Sequence, residues 1–202
     1  MSSSGGSRTR PATAWSYEVP DPQGARRLWF ETAPGVFSAD GPDPGTILLL
    51  ETLLPRIKSH ERVLDIGTGC GLLGLAIATR LDQGEVWMVD VDIRAVRVAG
   101  KNVERNRLPN AHVLLGDGTA DLPPKSRFHL IASNPPTHDG RQVLEQLVEQ
   151  SYATLRPGGS LWIVVNRLLS MKDLMQRTFG NVAVEAKSGG YLVLRSERSR
   201  GE

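Results

Sequence analysis

The chain has 202 residues, 40% of them hydrophobic and 23% charged, with a formal net charge of +2. A chain of that size and balance buries its own core without disulfides or structural metal, and its charge neither demands a nucleic-acid partner nor opposes one. No stretch approaches the roughly 18 consecutive apolar residues of a membrane span. With no basic-then-apolar leader and a single cysteine, Cys70, a cytoplasmic protein with no membrane contact is expected.

In chain order, residues 1–13 carry serines, glycines, Arg8 and Arg10 without apolar periodicity and read as a disordered tail. Residues 14–60 read as an N-terminal extension and a helix covering a cleft. They hold a strand-like stretch, Arg27 to Thr32, then Pro34-Gly35-Val36-Phe37-Ser38, and an apolar run, Ile47 to Leu54, that predicts a helix ended near Pro55. Residues 61–198 form the main domain. Strands are predicted over Arg62–Ile66, Glu85–Val91, Ala111–Leu115, Phe128–Ser133 and Leu161–Val165. Helices are predicted over Cys70–Leu81, Ile93–Asn106, Arg141–Leu155 (stopped by Pro157-Gly158-Gly159) and Ser170–Phe179. Asn181–Lys187 and Tyr191–Arg195 close the chain as a hairpin. This alternation predicts an α/β fold: a mostly parallel sheet with a C-terminal antiparallel hairpin, helices on both faces, and a ligand beyond the carboxyl ends of the strands.

The sharpest local signal is Asp65-Ile66-Gly67-Thr68-Gly69-Cys70-Gly71, after a strand and before a helix. Two ligands fit it. Gly69, Gly71 and Gly74 match the dinucleotide fingerprint, and Asp90 follows Gly69 by 21 residues, near the spacing of a ribose-binding acid. A carboxylate ahead of the glycines, however, repels a pyrophosphate and suits a cationic donor without phosphate. S-adenosylmethionine is such a donor. Its amino-acid end can meet Asp65, directly or through water, and the Gly67, Thr68, Gly69 and Gly71 backbone. Asp90 can accept from both ribose hydroxyls. Asp117, in Gly116-Asp117-Gly118, can accept from the adenine amino group, with Val91 or Ile93 on the adenine face. Asp92 reads as a helix N-cap.

Ser133-Asn134-Pro135-Pro136-Thr137-His138 follows the fourth strand of the main domain, at the same sheet edge. An sp² amine has its lone pair delocalised, so methyl transfer to it requires the amino group to be held with that lone pair aimed at the methyl. The Asn134 side-chain oxygen and the Pro135 carbonyl can each accept one amino hydrogen, and Pro135 and Pro136 keep those carbonyls rigid. His138 is a candidate for substrate contact. His60, His112 and His129 are scattered and no metal site is expected. Trp87 and Trp162 read as core, and Cys70 as packing. Arg26, Arg27, Arg141 and Arg167 are candidate phosphate contacts, or simply solvated surface.

Together these motifs resemble the small-domain methyltransferases related to the bacterial 16S ribosomal RNA guanine-N2 methyltransferase. The resemblance covers about residues 26–196. It rests on Pro34-Gly35-Val36-Phe37-Ser38 with Asp43 and Gly45-Thr46, on Val63 to Gly71, on Ser133-Asn134-Pro135-Pro136 with His138-Asp139-Gly140, on Gly158-Gly159 leading to Val165-Asn166-Arg167, and on Phe179-Gly180 and Gly189-Gly190-Tyr191. It implies a seven-stranded Rossmann-like class I methyltransferase fold, S-adenosylmethionine as donor, and guanine N2 in RNA, ribosomal RNA or the ribosomal subunit, as target. It also implies that Phe37 and Ser38 lie over the cleft near the substrate, with Thr137 where an aromatic residue is usual. Methylation of a protein glutamine or a small amine, a non-catalytic donor-binding domain, and a nicotinamide enzyme are the competing readings.

Overall fold

The computed structural model describes residues 14–21, 24–38, 40–135, 140–166 and 169–201. The tail 1–13, Pro136, Thr137, His138 and Arg167 lie outside the described residues. Among those described, no helix is long and apolar enough to cross a membrane.

The chain opens with a hairpin of its own: β1 (Ala14–Val19) pairs antiparallel with β2 (Arg26–Glu31), separate from the main sheet. Only β2 is predicted from sequence. In β1 the inward residues Trp15, Tyr17 and Val19 do alternate, but they sit in a segment dominated by Pro, Gly and Asp. Trp15 stacks on Phe30 with ring centroids 4.4 Å apart. The exposed edge of β2 is closed by two asparagines rather than by another strand. Asn106 accepts from the Trp29 N–H at 2.8 Å and donates to the Trp29 carbonyl at 2.7 Å, and Asn102 does the same for Glu31 at 2.8 and 2.9 Å. A side-chain amide carries the donor and acceptor of a peptide group, so the pair stands in for a strand and protects the edge.

Helix α1 (Pro44–Leu53) starts at Asp43, whose side chain accepts from the Thr46 N–H, with Pro44 in the first turn where its missing N–H costs nothing. It begins three residues before the predicted Ile47 because those signals precede the apolar run. A single 3₁₀ turn, Leu54–Arg56, ends it. Then follow β3 (Arg62–Ile66), α2 (Leu72–Ala78), β4 (Glu85–Asp90), α3 (Ile93–Asn106), β5 (Ala111–Leu115), β6 (Phe128–Ser133), α4 (Arg141–Thr154), β7 (Leu155–Asn166), α5 (Leu169–Phe179), β8 (Ala183–Ser188) and β9 (Tyr191–Glu197).

Two predicted elements are corrected. Helix α2 is shorter than Cys70–Leu81, because Gly71 at its N-cap is left-handed (φ 93°) and regular helix begins only at Leu72. Pro157-Gly158-Gly159 does not stop α4: the chain turns extended at Leu155, and the triplet lies inside β7. There the register with β6 slips, Phe128 facing Leu155 but Leu130 facing Ser160. Proline cannot donate to a ladder, so the strand bulges around it.

The main sheet runs β5-β4-β3-β6-β7-β9-β8, parallel except for β9, which pairs antiparallel with β7 and β8. Alternate residues feed two cores. Val63, Leu130, Ala132, Trp162 and Val164 pack with α1, α2, part of α3 and the hairpin. Leu64, Ile131, Leu161, Ile163 and Val165 pack with α4 and α5. Covering on both faces explains why the strands read as continuous apolar runs. Trp162 is core, as expected, whereas Trp87 is only half-buried, against the second cluster. The connections diverge between β3 and β6, and a ligand site belongs beyond their carboxyl ends.

Candidate active site

After β3 the backbone turns through Gly67, Gly69 and Gly71 at φ values of 74°, 57° and 93°, a path that L side chains rarely follow. The turn satisfies its own amides. The Gly67 and Thr68 N–H groups donate to the Val89 carbonyl at 2.9 and 3.2 Å, and the Gly71 N–H donates to the Thr68 carbonyl at 2.9 Å. The Gly69 N–H donates to Asp90 Oδ2 at 2.9 Å. A pyrophosphate-binding turn instead presents its N–H groups outward.

Asp65 is 1% exposed. Its Oδ2 accepts from the Thr68 hydroxyl at 2.7 Å and from the Gly74 N–H at 3.0 Å, tying the turn to the first turn of α2. Burial pushes its carboxyl up to about 7; those two hydrogen bonds pull it down and the neighbouring Asp90 adds to the rise. Behind the turn, a void of about 10 Å³ touches Asp65, Thr68, Phe37, Thr46 and Asn134. That is the scale of one water.

The main cleft measures about 590 Å³. It is lined by Gly67, Gly69, Asp90 and Val91 where β3 and β4 end, by Asp117 and Gly118 after β5, and by Ser133, Asn134 and Pro135 where β6 ends, a second wall. Asp90 lies at the end of β4, its Oδ1 accepting from the Asp92 N–H at 2.9 Å. Asp92 is the N-cap of α3, as its position suggests, and accepts from the Arg94 N–H. Val91 is 70% exposed and Ile93 43%, but only Val91 lines the cleft. Asp117 is exposed at the cleft, its own N–H held by Asp121 at 3.2 Å. Cys70 is buried and its thiol is pushed up to about 11 by burial, which suits packing and not nucleophilic attack.

Gly35, Val36 and Phe37 line the cleft, and Phe37 and Ser38 the small void. The Val36 N–H bonds the Ala33 carbonyl at 3.0 Å with Gly35 at φ 81°, and Ser38 is held left-handed at φ 63°. The Trp15 indole N–H donates to the Ser38 carbonyl at 3.2 Å, so the N-terminal hairpin fixes this segment. Phe37, 47% exposed, packs over Gly69, and Ser38 touches the small void.

The structure therefore brings Asp65, Gly67, Thr68, Gly69, Asp90, Val91, Asp117, Gly118, Phe37, Ser38, Asn134 and Pro135 to one sheet edge. Gly71 sits in the turn but lines neither cavity. Sequence reasoning missed the α4 face that lines the cleft: Val143, Gln146, Leu147 and Gln150, of which Gln150 Oε1 accepts from the Thr119 N–H at 2.9 Å. The spacing of these four is helical, but only the sheet topology shows which face of α4 meets a ligand. It also assigned no role to Trp15, Asp43 or Thr46. Among the candidate phosphate contacts, Arg26 donates to the Asn106 carbonyl at 3.1 Å, Arg27 pairs with Glu18, and Arg141 pairs with Glu145 at 2.7 Å. Arg27 and Arg141 are thus paired with carboxylates, whereas Arg26 meets a neutral carbonyl.

Fold and cleft define a Rossmann-like domain of the class I methyltransferase type. The sequence model of the family described as Methyltransferase small domain matches residues 27–195. The chain is 36% identical over 177 residues to the ribosomal RNA small subunit methyltransferase C of Salmonella choleraesuis (strain SC-B67), covering 86% of this chain and 50% of that protein. It is 34% identical over 194 residues to the ribosomal RNA large subunit methyltransferase G of Streptomyces avermitilis, covering 93% and 50%. Among solved structures, the 16S rRNA N2 G1207 methyltransferase of T. thermophilus, in complex with AdoMet and guanosine, superposes with a TM-score of 0.81 at 33% identity, covering 93% of this chain and 51% of that one. The chain belongs to the methyltransferase small domain family, and it spans about half the length of the curated relatives it matches.

Proposed function

We propose that this chain is a cytoplasmic S-adenosylmethionine-dependent N-methyltransferase acting on an exocyclic amino group, guanine N2 in ribosomal RNA. The observation that carries this reading is that Asp90 and Asn134, at the ends of the two strands that flank β3, line one cleft. The donor fits the residues present. The amides of the glycine turn are spent internally and Asp90 stands beside it at the cleft, so a phosphate-free ligand is favoured over a dinucleotide.

When bound, S-adenosylmethionine supplies an electrophilic methyl on a sulfonium. The chain's residues do the rest. Asp90 accepts from the ribose hydroxyls while holding Gly69, and Asp117 accepts from the adenine amino group. Val91, Val143 and Leu147 give the ring apolar walls. Phe37 and Ser38 cover the mouth and exclude water. Asn134 Oδ1 and the Pro135 carbonyl accept the two hydrogens of the target amine, aim its lone pair, and stabilise the positive charge that grows on nitrogen. No strong base is required, because the methylated ammonium is acidic and loses its proton afterwards.

The test is transfer of a labelled methyl to undermethylated small- and large-subunit ribosomal RNA, both naked and assembled, with the modified nucleotide mapped by mass spectrometry. Both subunits are included because the relatives above are named for one or the other. Label at guanine N2 supports the reading. Label on protein glutamine with none on RNA replaces it with the amide substrate. Tight donor binding without transfer to any acceptor replaces it with a binding domain.

A further inference from the structure

An asparagine amide has two ends of nearly equal shape, and only the oxygen can receive an amine hydrogen. Resting on the reading of Asn134 above, we propose that Asp43 and Thr46 are positioning residues that fix which end of the Asn134 amide faces the cleft.

Asn134 Nδ2 donates to Asp43 Oδ1 at 2.8 Å and to Thr46 Oγ1 at 2.8 Å, which engages both of its hydrogens. The Thr46 hydroxyl also lies 3.4 Å from Asp43 Oδ1, so a proton turned toward that carboxylate leaves a lone pair for Asn134. Asp43 is the partner that distinguishes the two ends of the amide. A carboxylate oxygen accepts and the Thr46 hydroxyl can do either, so the flipped amide would keep a bond to Thr46 but set Oδ1 against Asp43 Oδ1, trading that hydrogen bond for a repulsion. Oδ1, which receives no hydrogen bond among the described residues, is left as the free end.

The placement of Asp43 is set from two sides. The same Oδ1 caps α1 by accepting the Thr46 N–H at 2.9 Å. Next to it, a Cβ on Gly45 would lie 2.8 Å from two carbons of the Tyr191 ring, so the first turn of α1 presses on β9 with no side chain between them. The carboxylate is therefore anchored to the sheet that carries Asn134, just past the end of β6. This accounts for Asp43, Gly45, Thr46 and Tyr191 as parts of one device spread along the chain.

Capping and positioning can be separated. Asp43→Ser keeps an N-cap oxygen but is too short to reach Asn134, and Asp43→Asn keeps an acceptor at full reach. Asp43→Ser is expected to lower kcat for methyl transfer roughly tenfold or more, with donor Kd within about twofold and little change in Tm. Asp43→Asn recovers most of that rate. In an Asn134→Ala background, Asp43→Ser changes kcat by less than about twofold, because it acts only through the missing amide. A substrate-free arm reads the same device: the side-chain NH₂ of Asn134 is protected from hydrogen exchange in the wild type and Asp43→Asn, and unprotected in Asp43→Ser. Thr46→Val, a near-isosteric change, supplies the same comparisons if Asp43→Ser fails to fold. An unprotected amide in the wild type, or equal kcat losses with and without Asn134, overturns the proposal. Failure of the wild type to methylate any amine, with the amide still protected, overturns the function above and leaves the network standing.

Discussion

The two walls of the cleft are assembled in different ways. On the β3–β4 wall the side-chain contacts span no more than 21 residues, within one strand–helix–strand unit: Asp65 reaches Thr68 and Gly74, and Asp90 reaches Gly69 and Asp92. Its acids are spent in part on the turn itself, which becomes a rigid, self-satisfied surface. On the β6 wall, Asn134 is held by Asp43, 91 residues away, through a helix cap. One wall is a motif; the other exists only after folding. On the proposed function, donor binding and methyl transfer are thereby separable, and substitutions on the two walls are expected to move different parameters.

Asn134→Ala is the largest expected break. It should cost a hundredfold or more in kcat, on the order of 3 kcal/mol, while donor Kd stays within about twofold, because the lost contacts matter only as charge develops on the amine. Steady-state kinetics with donor titration calorimetry separates the two quantities. On the other wall, Asp90→Ala removes the acceptor of two backbone N–H groups and, on the proposed function, of the donor ribose; about tenfold to a hundredfold weaker donor binding is expected, with a smaller change in rate at saturation. If both substitutions lower kcat equally and leave Kd alone, the division into two walls is wrong.

The buried acid sharpens the comparison through pH. With its carboxyl raised to about 7, folded Asp65 keeps a proton that the unfolded chain has already released above about pH 4. Stability therefore falls as pH rises from about 4 to 7 and levels off beyond, since over that window the folded state binds the extra proton. Asp65→Asn retains an oxygen for Thr68 and Gly74 and should flatten this slope, which urea midpoints at pH 5 and pH 8 will register. A wild-type slope unchanged in the variant would assign it to another group. The smallest effect belongs to Phe37→Ala. Half exposed, it should alter stability by no more than about 0.5 kcal/mol, yet weaken donor binding about two- to fivefold by opening the mouth over Gly69.

The same difference explains what could be read before folding. Strand–helix alternation, the Gly67–Gly71 turn, Asp90 and the Asn134-Pro135 pair are local patterns, and they fall where the sequence puts them. The first strand escaped because Trp15, Tyr17 and Val19 alternate within a Pro- and Gly-rich stretch. The Pro157-Gly158-Gly159 triplet misled because a bulge inside β7 uses the same residues as a helix stop. Asp65 looked like a ligand-facing charge, yet sequence does not reveal that it turns inward to hold the loop. Gln146 and Leu147 needed the sheet order to become cleft residues. The Asp43–Thr46–Asn134 network needed a contact across most of the domain, although its N-cap signature, Asp43-Pro44 with Thr46, was visible.

The most direct test of the account is a crystal structure with S-adenosylhomocysteine and guanosine bound. The account predicts ribose hydroxyls within hydrogen-bond reach of Asp90, and the guanine amino group about 3 Å from Asn134 Oδ1 with Nδ2 still on Asp43. A guanine bound elsewhere, or an Asn134 that presents its NH₂ to the cleft, would contradict it.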